Sequence, residues 1–256
     1  MDVGNTQTVI GVYADEKQEL LDHWRMATYA ERTSDEYALV LEQFLDLGGF
    51  DLDEDVRGIA VSSTVPRITA ALQEMSTRHL GFEAVILGGP GIKSGMPILY
   101  ENPREVGPDR IADAVAAYDL YGGPSIVIDF GTATTVEAVS SKGEYLGGAI
   151  FPGVEISLDA LFGRAAALHR VALAEPRSVI GKTTNESIQS GVLFGYAGMV
   201  DGLCQRVERE IGKATVVATG GLSELIAPYT QAIDHIEPWL TLRGLRIIFE
   251  RNRASQ

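Results

Sequence analysis

The stretches DVGNTQT at residues 2–8 and DFGTATT at residues 129–135 carry the residue types of phosphate chemistry. Each begins with Asp-x-Gly, and each is followed by a short β-rich run. Laying residue 2 on residue 129 makes Asp2/Asp129, Gly4/Gly131, Thr8/Thr135, Val9/Val136 and Val12/Val139 coincide, five positions of eleven. Gly4 and Gly131 let the backbone turn sharply and come close to a ligand. Asn5 and Thr6, and likewise Thr132-Ala133-Thr134, then offer N–H groups and hydroxyls to phosphate oxygens. Asp2 and Asp129, at strand ends, suit Mg²⁺ held directly or through water. The plainer reading of one such copy is an Asx-turn closing a hairpin. Two copies in matching contexts favour the ligand.

A third carboxylate, Asp109 in Gly107-Pro108-Asp109-Arg110, precedes an apolar-periodic run. It fits a general base and equally a helix cap, and spacing alone leaves both open. Arg110 beside it offers a planar fork for a substrate carboxylate and would keep Asp109 ionised. Two other phosphate-loop candidates fail. Ile180-Gly181-Lys182-Thr183 ends like a P-loop, but Pro176 stands where the first glycine belongs. Gly89-x-Gly91 is followed by a third glycine, Gly95, one position too late for a dinucleotide turn.

These residues need strands and helices to hold them. Strand-like runs at residues 9–13 and 20–26 are separated by ADEKQ at 14–18. Thr33 and Glu36 form a capping-box signature, after which Tyr37, Val40, Leu41, Phe44 and Leu45 share one helical face up to Gly48-Gly49. A strand at 57–62, a helix at 64–80 with Pro66 in its first turn, and a strand at 84–87 follow. An alanine-rich helix runs from Asp109 to Gly122-Gly123. The second half repeats the scheme, with strands at 126–130, 135–140 and 145–150 around the turn Ser141-Lys142-Gly143. A helix at 186–211, a strand at 215–218 and a helix at 240–251 complete it. The pattern is two α/β halves, 1–122 and 123–256, whose opening turns face each other across a cleft where ligands of such sheets bind. Asp113 and Asp119 are expected on a solvated helix face, and Trp24 and Trp239 as packing residues.

Bulk properties narrow the partners. Twenty-one basic against 35 acidic residues give a net charge of −14, without the basic stripe that phosphate neutralisation along a nucleic acid requires. The densest basic stretch, 243–253, is spaced like a solvated helix face. No run reaches the roughly 18–20 apolar residues of a membrane helix, and the chain arrives at Asp2 without a signal-peptide pattern. The single Cys204 fits a reducing compartment, and the scattered His23, His79, His169 and His235 argue against structural zinc. The expectation is a cytosolic protein with no nucleic-acid or membrane partner.

The motifs resemble those of the acetate and sugar kinase, Hsp70 and actin superfamily, and within it the type III pantothenate kinases. DVGNT, Tyr100-Glu101-Asn102-Pro103 leading to Gly107-Pro108-Asp109-Arg110, DFGTATT, and Gly147-Gly148-Ala149-Ile150-Phe151-Pro152-Gly153 carry the likeness. RSVIGKTTNES, TGGLSEL and LTLRGLRIIFERN extend it along essentially the whole chain. The resemblance implies duplicated ribonuclease-H-like (actin-like ATPase) domains, each a mixed five-stranded α/β sheet flanked by helices, with the active site in the cleft between them. It implies ATP-dependent phosphorylation of pantothenate to 4′-phosphopantothenate, with Mg²⁺ and a monovalent cation, K⁺ or NH₄⁺. By the same likeness Asp2, Val3, Gly4, Asn5, Thr6, Gln7, Thr8 and Val9 form the first phosphate loop, and Thr132 is a further nucleotide contact. Tyr100, Gly107, Pro108, Asp109, Arg110 and Thr184 resemble the pantothenate site, with Asp109 as general base. Asp129 resembles the monovalent-cation ligand, and a homodimer is implied. The family has several apolar residues ahead of its first Asp; here only Met1 precedes it, so either the start assignment is short or the first strand is truncated. A non-catalytic ligand-binding regulator on the same scaffold is the alternative, and a sugar or acetate kinase or a polyphosphate phosphatase a further one. A regulator would carry a basic helix-turn-helix or lack its base, and this chain has neither feature.

Overall fold

The computed structural model describes residues 1–14, 19–165 and 167–253, so the polar break at 14–18 falls almost wholly outside it. The chain forms two compact units, one of Met1–Pro97, Glu101–Ala116 and Leu240–Gln256, the other of Ile98–Tyr100 and Ala117–Trp239.

The first unit is built on β1 (Asp2–Val3), β2 (Gln7–Tyr13), β3 (Leu20–Ala27), α1 (Ser34–Gly48), α2 (Leu52–Asp55), β4 (Ala60–Ser63), α3 (Pro66–Met75) and β5 (Val85–Ile86). Its sheet order is β3-β2-β1-β4-β5, with β1–β3 antiparallel and β1, β4 and β5 parallel. The Thr33–Glu36 capping box opens α1, and Gly49, at φ 77°, closes it. Tyr37, Leu41 and Leu45 on one face of α1 meet Ile68, Leu72 and Met75 of α3 in the core over the sheet. Trp24 stacks on Phe44 with ring centroids 5.9 Å apart, a packing role as expected.

Helix α4 (Pro108–Tyr121) starts in this unit, and residues 110–117 are all buried. The alanines therefore mark a helix covered all round rather than an amphipathic one. Asp113, expected in solvent, is 2% exposed, because the periodic reading could not see a second layer over the helix's polar side.

The second unit contains β6 (Ser125–Phe130), β7 (Ala133–Val139), β8 (Tyr145–Pro152), α5 (Val154–Arg164), α6 (Thr184–Ile211), β9 (Thr215–Thr219), α7 (Ser223–Ile226) and β10 (His235–Ile236). Its sheet runs β10-β9-β6-β7-β8, again three antiparallel strands joined to two parallel ones. The two sheets thus share one topology, each mixed, five-stranded and flanked by helices. Leu193, Ala197, Val200 and Cys204, spaced by four, three and four, are the buried stripe of α6 against Ile126, Ile128 and Val216.

The last helix, α8 (Leu240–Arg253), packs back into the first unit. A β-carbon on Gly244 would lie 1.9 Å from the Ala112 carbonyl oxygen, so only glycine allows α8 this close to α4.

Strand β1 has two residues where β2 has seven. Along its line beyond Met1, the flanks Ile10–Tyr13 and Gly58–Ala60, closed by Leu242, Leu245 and Phe249, line a cavity of about 340 Å³. The Met1 ammonium donates to the Ala60 oxygen at 2.7 Å, taking the place of a ladder amide, and burial pushes its pKa down to about 6. Three apolar residues ahead of Met1 are expected to fill this slot. They should stabilise the fold by about 2 kcal/mol after ordering costs, a calorimetric rise of roughly 4–8 °C in Tm. An unchanged Tm would show that the space does not accept a strand.

Candidate functional site

In the first loop, Val3 faces Thr8 across the hairpin and the Gly4 amide donates to the Gln7 oxygen at 3.0 Å. Asn5, Thr6 and Gln7 stand exposed at the turn, whereas Thr8 is buried with its Oγ1 2.9 Å from that of Thr28. The Thr28 amide also donates to the Thr6 oxygen at 3.0 Å, so the residue that follows β3 braces the loop. Asp2 lies on β1 between Val9 of β2 and Ser62 of β4.

Asp109 sits in the first turn of α4, where an anionic side chain is favoured by the free amides and the helix dipole. Its Oδ1 accepts from the Arg110 amide at 2.9 Å. A β-carbon on Gly107 would lie 2.3 Å from that oxygen, so the glycine makes room for the carboxylate to fold over the turn. Asp109 is half-buried, and Arg110, expected to meet a substrate carboxylate, is 9% exposed. The structure brings Asp2 and Asp109 near enough to feel each other. Burial first, and the Asp109 charge second, push the Asp2 carboxyl up to about 6.

In the second loop Phe130 faces Thr134, and the Gly131 amide donates to the Ala133 oxygen at 3.2 Å. This turn is one residue shorter than the first. Thr8 therefore corresponds in the ladder to Thr134, not to Thr135 as the ungapped overlay of the two sequences has it. Thr132 is exposed at the tip, and Thr134 is buried with no hydrogen-bond partner for its Oγ1 among the described residues.

Two glycines back this loop in ways the sequence reading did not assign. A β-carbon on Gly153 would lie 2.3 Å from the Thr132 oxygen, and the Gly153 amide donates to that oxygen at 3.1 Å. Gly220 has φ 88°, and a β-carbon there would lie 2.3 Å from Asp129 Oδ1. Asp129 itself is held between Thr135 of β7 and Thr219 of β9. A glycine directly after a strand was the available signal at both positions.

Tyr100 lies in the second unit against Gly147, whose absent β-carbon would come within 3.2 Å of the ring. Thr184 opens α6 beside its capping residue Thr183, which accepts from the Glu186 amide at 3.2 Å. It lines an open cavity of about 800 Å³ with Leu161, Lys182, Ile188 and Tyr196. Among the described residues no three His, Cys, Asp or Glu side chains gather as a metal cluster.

The profile of the type III pantothenate kinases matches residues 1–206. The chain belongs to this family. A type III pantothenate kinase of Moorella thermoacetica is 53% identical over 253 residues, 98% of each chain. Solved structures at lower identity share the fold. A Campylobacter jejuni protein, provisionally named a Baf family transcriptional activator, matches with TM-score 0.61 at 19% identity over 99% of this chain and 98% of its own. A polyphosphate/ATP-glucomannokinase from Arthrobacter sp. strain KM matches with TM-score 0.51 at 16% identity over 98% and 97%. The duplicated mixed sheet of the type III pantothenate kinase family is thus the actin-like, ribonuclease-H-like fold of sugar kinases.

The raised Asp2 pKa makes the folded chain keep a proton that the unfolded chain releases between about pH 4 and 6. Its contribution to stability is present below the unfolded value of 3.8 and is lost as the pH rises through about 6. Asp2→Asn should remove that limb from the pH profile of urea unfolding. A limb of unchanged size in the variant would assign it to another group.

Proposed function

We propose that this chain catalyses the ATP-dependent phosphorylation of pantothenate to 4′-phosphopantothenate, the first step of coenzyme A biosynthesis. Family membership over most of the chain carries this reading. Asp109 takes the proton of the primary hydroxyl as its oxygen attacks the γ-phosphorus and the bond to ADP breaks. Such transfer depends mainly on alignment and charge neutralisation, with the base adding about 10²- to 10⁴-fold.

Asp2, Val3, Gly4, Asn5, Thr6, Gln7, Thr8 and Val9 hold the nucleotide phosphates, and Thr132 makes a further contact. Supporting this, Gly4 brings the backbone round at the strand end and leaves Asn5 and Thr6 facing outward. Tyr100, Gly107, Pro108, Arg110 and Thr184 bind pantothenate. Mg²⁺ supplies neutralisation of phosphate charge when bound, and Asp2 would hold it. A strand-end carboxylate, completed by phosphate oxygens and water, suits this ion better than a cage of protein ligands. Asp129, an oxygen donor seated against Gly220, would hold K⁺ or NH₄⁺.

The compartment in this reading is the cytosol, and Cys204, buried and pushed up to about 12 by that burial, suits it as an unreactive packing thiol. The chain acts as a homodimer, for which the exposed apolar side chains of Ile156, Val179, Ile180 and Met199 supply surface.

The test is ADP release from Mg-ATP with pantothenate, in Na⁺ buffer and then in K⁺ or NH₄⁺ buffer. Turnover that needs pantothenate and rises with K⁺ or NH₄⁺ supports both substrate and cation; sugar-dependent turnover would overturn the substrate. Asp109→Asn should lower kcat by roughly 10²-fold or more with little change in Tm, and unchanged turnover would leave only the helix-terminal role. Asp129→Asn should flatten the K⁺ response, and a wild-type response would remove Asp129 from the cation site.

A further inference from the structure

Tyr145 and Glu137 form a buried pair that no step above uses. Glu137 is 1% exposed, Tyr145 is fully buried, and the tyrosine hydroxyl donates to Glu137 Oε2 at 2.5 Å. An irregularity in the ladder makes this meeting possible. Ala138 faces Gly147 and Glu137 faces Gly148, yet Val139 faces Tyr145, so β8 carries one extra residue at Leu146. A one-residue slip moves a strand side chain to the opposite face of its sheet. The bulge thereby puts Tyr145 on the face of Val139 and Glu137. The absent side chain of Gly148 keeps the space, since a β-carbon there would lie 2.9 Å from Glu137 Oε2.

The same tyrosine anchors the segment that carries Tyr100. Its backbone oxygen accepts from the Leu99 amide at 2.8 Å, and Ile98 pairs with it as an isolated parallel bridge. Its ring stands 6.4 Å from the Tyr100 ring at an interplanar angle of 51°, within the range of favourable aromatic contact. Gly147, at φ 115°, makes room for the Tyr100 ring, since a β-carbon there would lie 3.2 Å from it. Residues Ile98–Tyr100 accordingly belong to the second unit although their neighbours in sequence belong to the first.

We propose that Tyr145, locked by its hydrogen bond to Glu137, is a positioning residue that sets the place of Tyr100 and so the affinity for the pantothenate substrate. The inference rests on the reading that Tyr100 contacts pantothenate. A hydrogen bond to a buried acceptor is directional and costly to lose, so it fixes the tyrosine more firmly than ring packing alone.

The test is steady-state kinetics of Tyr145→Phe, which keeps the ring and deletes the hydroxyl, beside Tyr100→Ala. The expected result for Tyr145→Phe is a rise of about tenfold in KM for pantothenate, with KM for ATP and kcat within about twofold of wild type. A merely structural role would move all three together or none, and either pattern overturns the inference. Glu137→Gln keeps an oxygen for the tyrosine and should raise KM for pantothenate only about twofold. If Tyr145→Phe fails to fold, Glu137→Gln against Glu137→Leu reads the same selective KM change, and equal constants in that pair would reject it. If Tyr100→Ala leaves KM for pantothenate unchanged, the substrate reading of Tyr100 falls. If Tyr100→Ala raises it and Tyr145→Phe does not, only the positioning role falls.

Discussion

A strand that ends in Asp-x-Gly has to do two opposed things within three residues. It must keep its backbone in the ladder as far as the aspartate, and it must free the next peptides for something outside the sheet. Glycine resolves the conflict by turning at once, which holds the carboxylate at the strand end with the following N–H groups and hydroxyls. Both sheets of this protein depend on that device, at Asp2 to Gly4 and at Asp129 to Gly131. Around it each sheet repeats one plan, with a hairpin on one side of the aspartate strand and parallel strands on the other.

The two copies have nevertheless diverged in how they brace the turn. The first is braced by Thr28, the residue that follows the neighbouring strand. The second is braced by glycines from other elements, Gly153 and Gly220, packed on the loop oxygens and on Asp129. A shorter turn leaves less room behind it, and glycine is what fits there. The electrostatics differ as well. Asp2 feels a second carboxylate in its own unit, which raises the cost of ionising it until a cation or a ligand proton balances the charge.

Much of this was legible in the sequence because the signals are local. The Thr33–Glu36 box, the alanine-rich helix from Asp109 and the short apolar runs of β6 and β7 each rest on residues a few positions apart. What was not legible rests on long-range packing. The burial of Asp113 depends on which layers cover α4, and no periodicity in that helix reports it. The true register between the two hairpins depends on a one-residue difference in turn length, which an ungapped overlay hides. Helix α5 and strand β10 escaped because one follows the Phe151-Pro152-Gly153 turn without a capping side chain and the other is two residues long. At the site, the aspartates stood out by type and spacing, whereas Gly153 and Gly220 matter through atoms they lack.

The return of α8 to the first unit also bears on how the chain is made. Nearly all of the second unit lies in one continuous stretch, Ala117–Trp239, while the first waits for Leu240 onward. During synthesis from the N-terminus, domains fold as their residues emerge. The second unit can therefore close first on the ribosome, while α4 is still uncovered where Gly244 will later press on Ala112. A stalled or clipped chain lacking α8 would leave the apolar faces of β2 and β4 uncovered. Such a chain offers an exposed apolar patch to other chains. Completion of the first unit thus falls on the last fourteen described residues, far along the chain from the loop whose unit they complete.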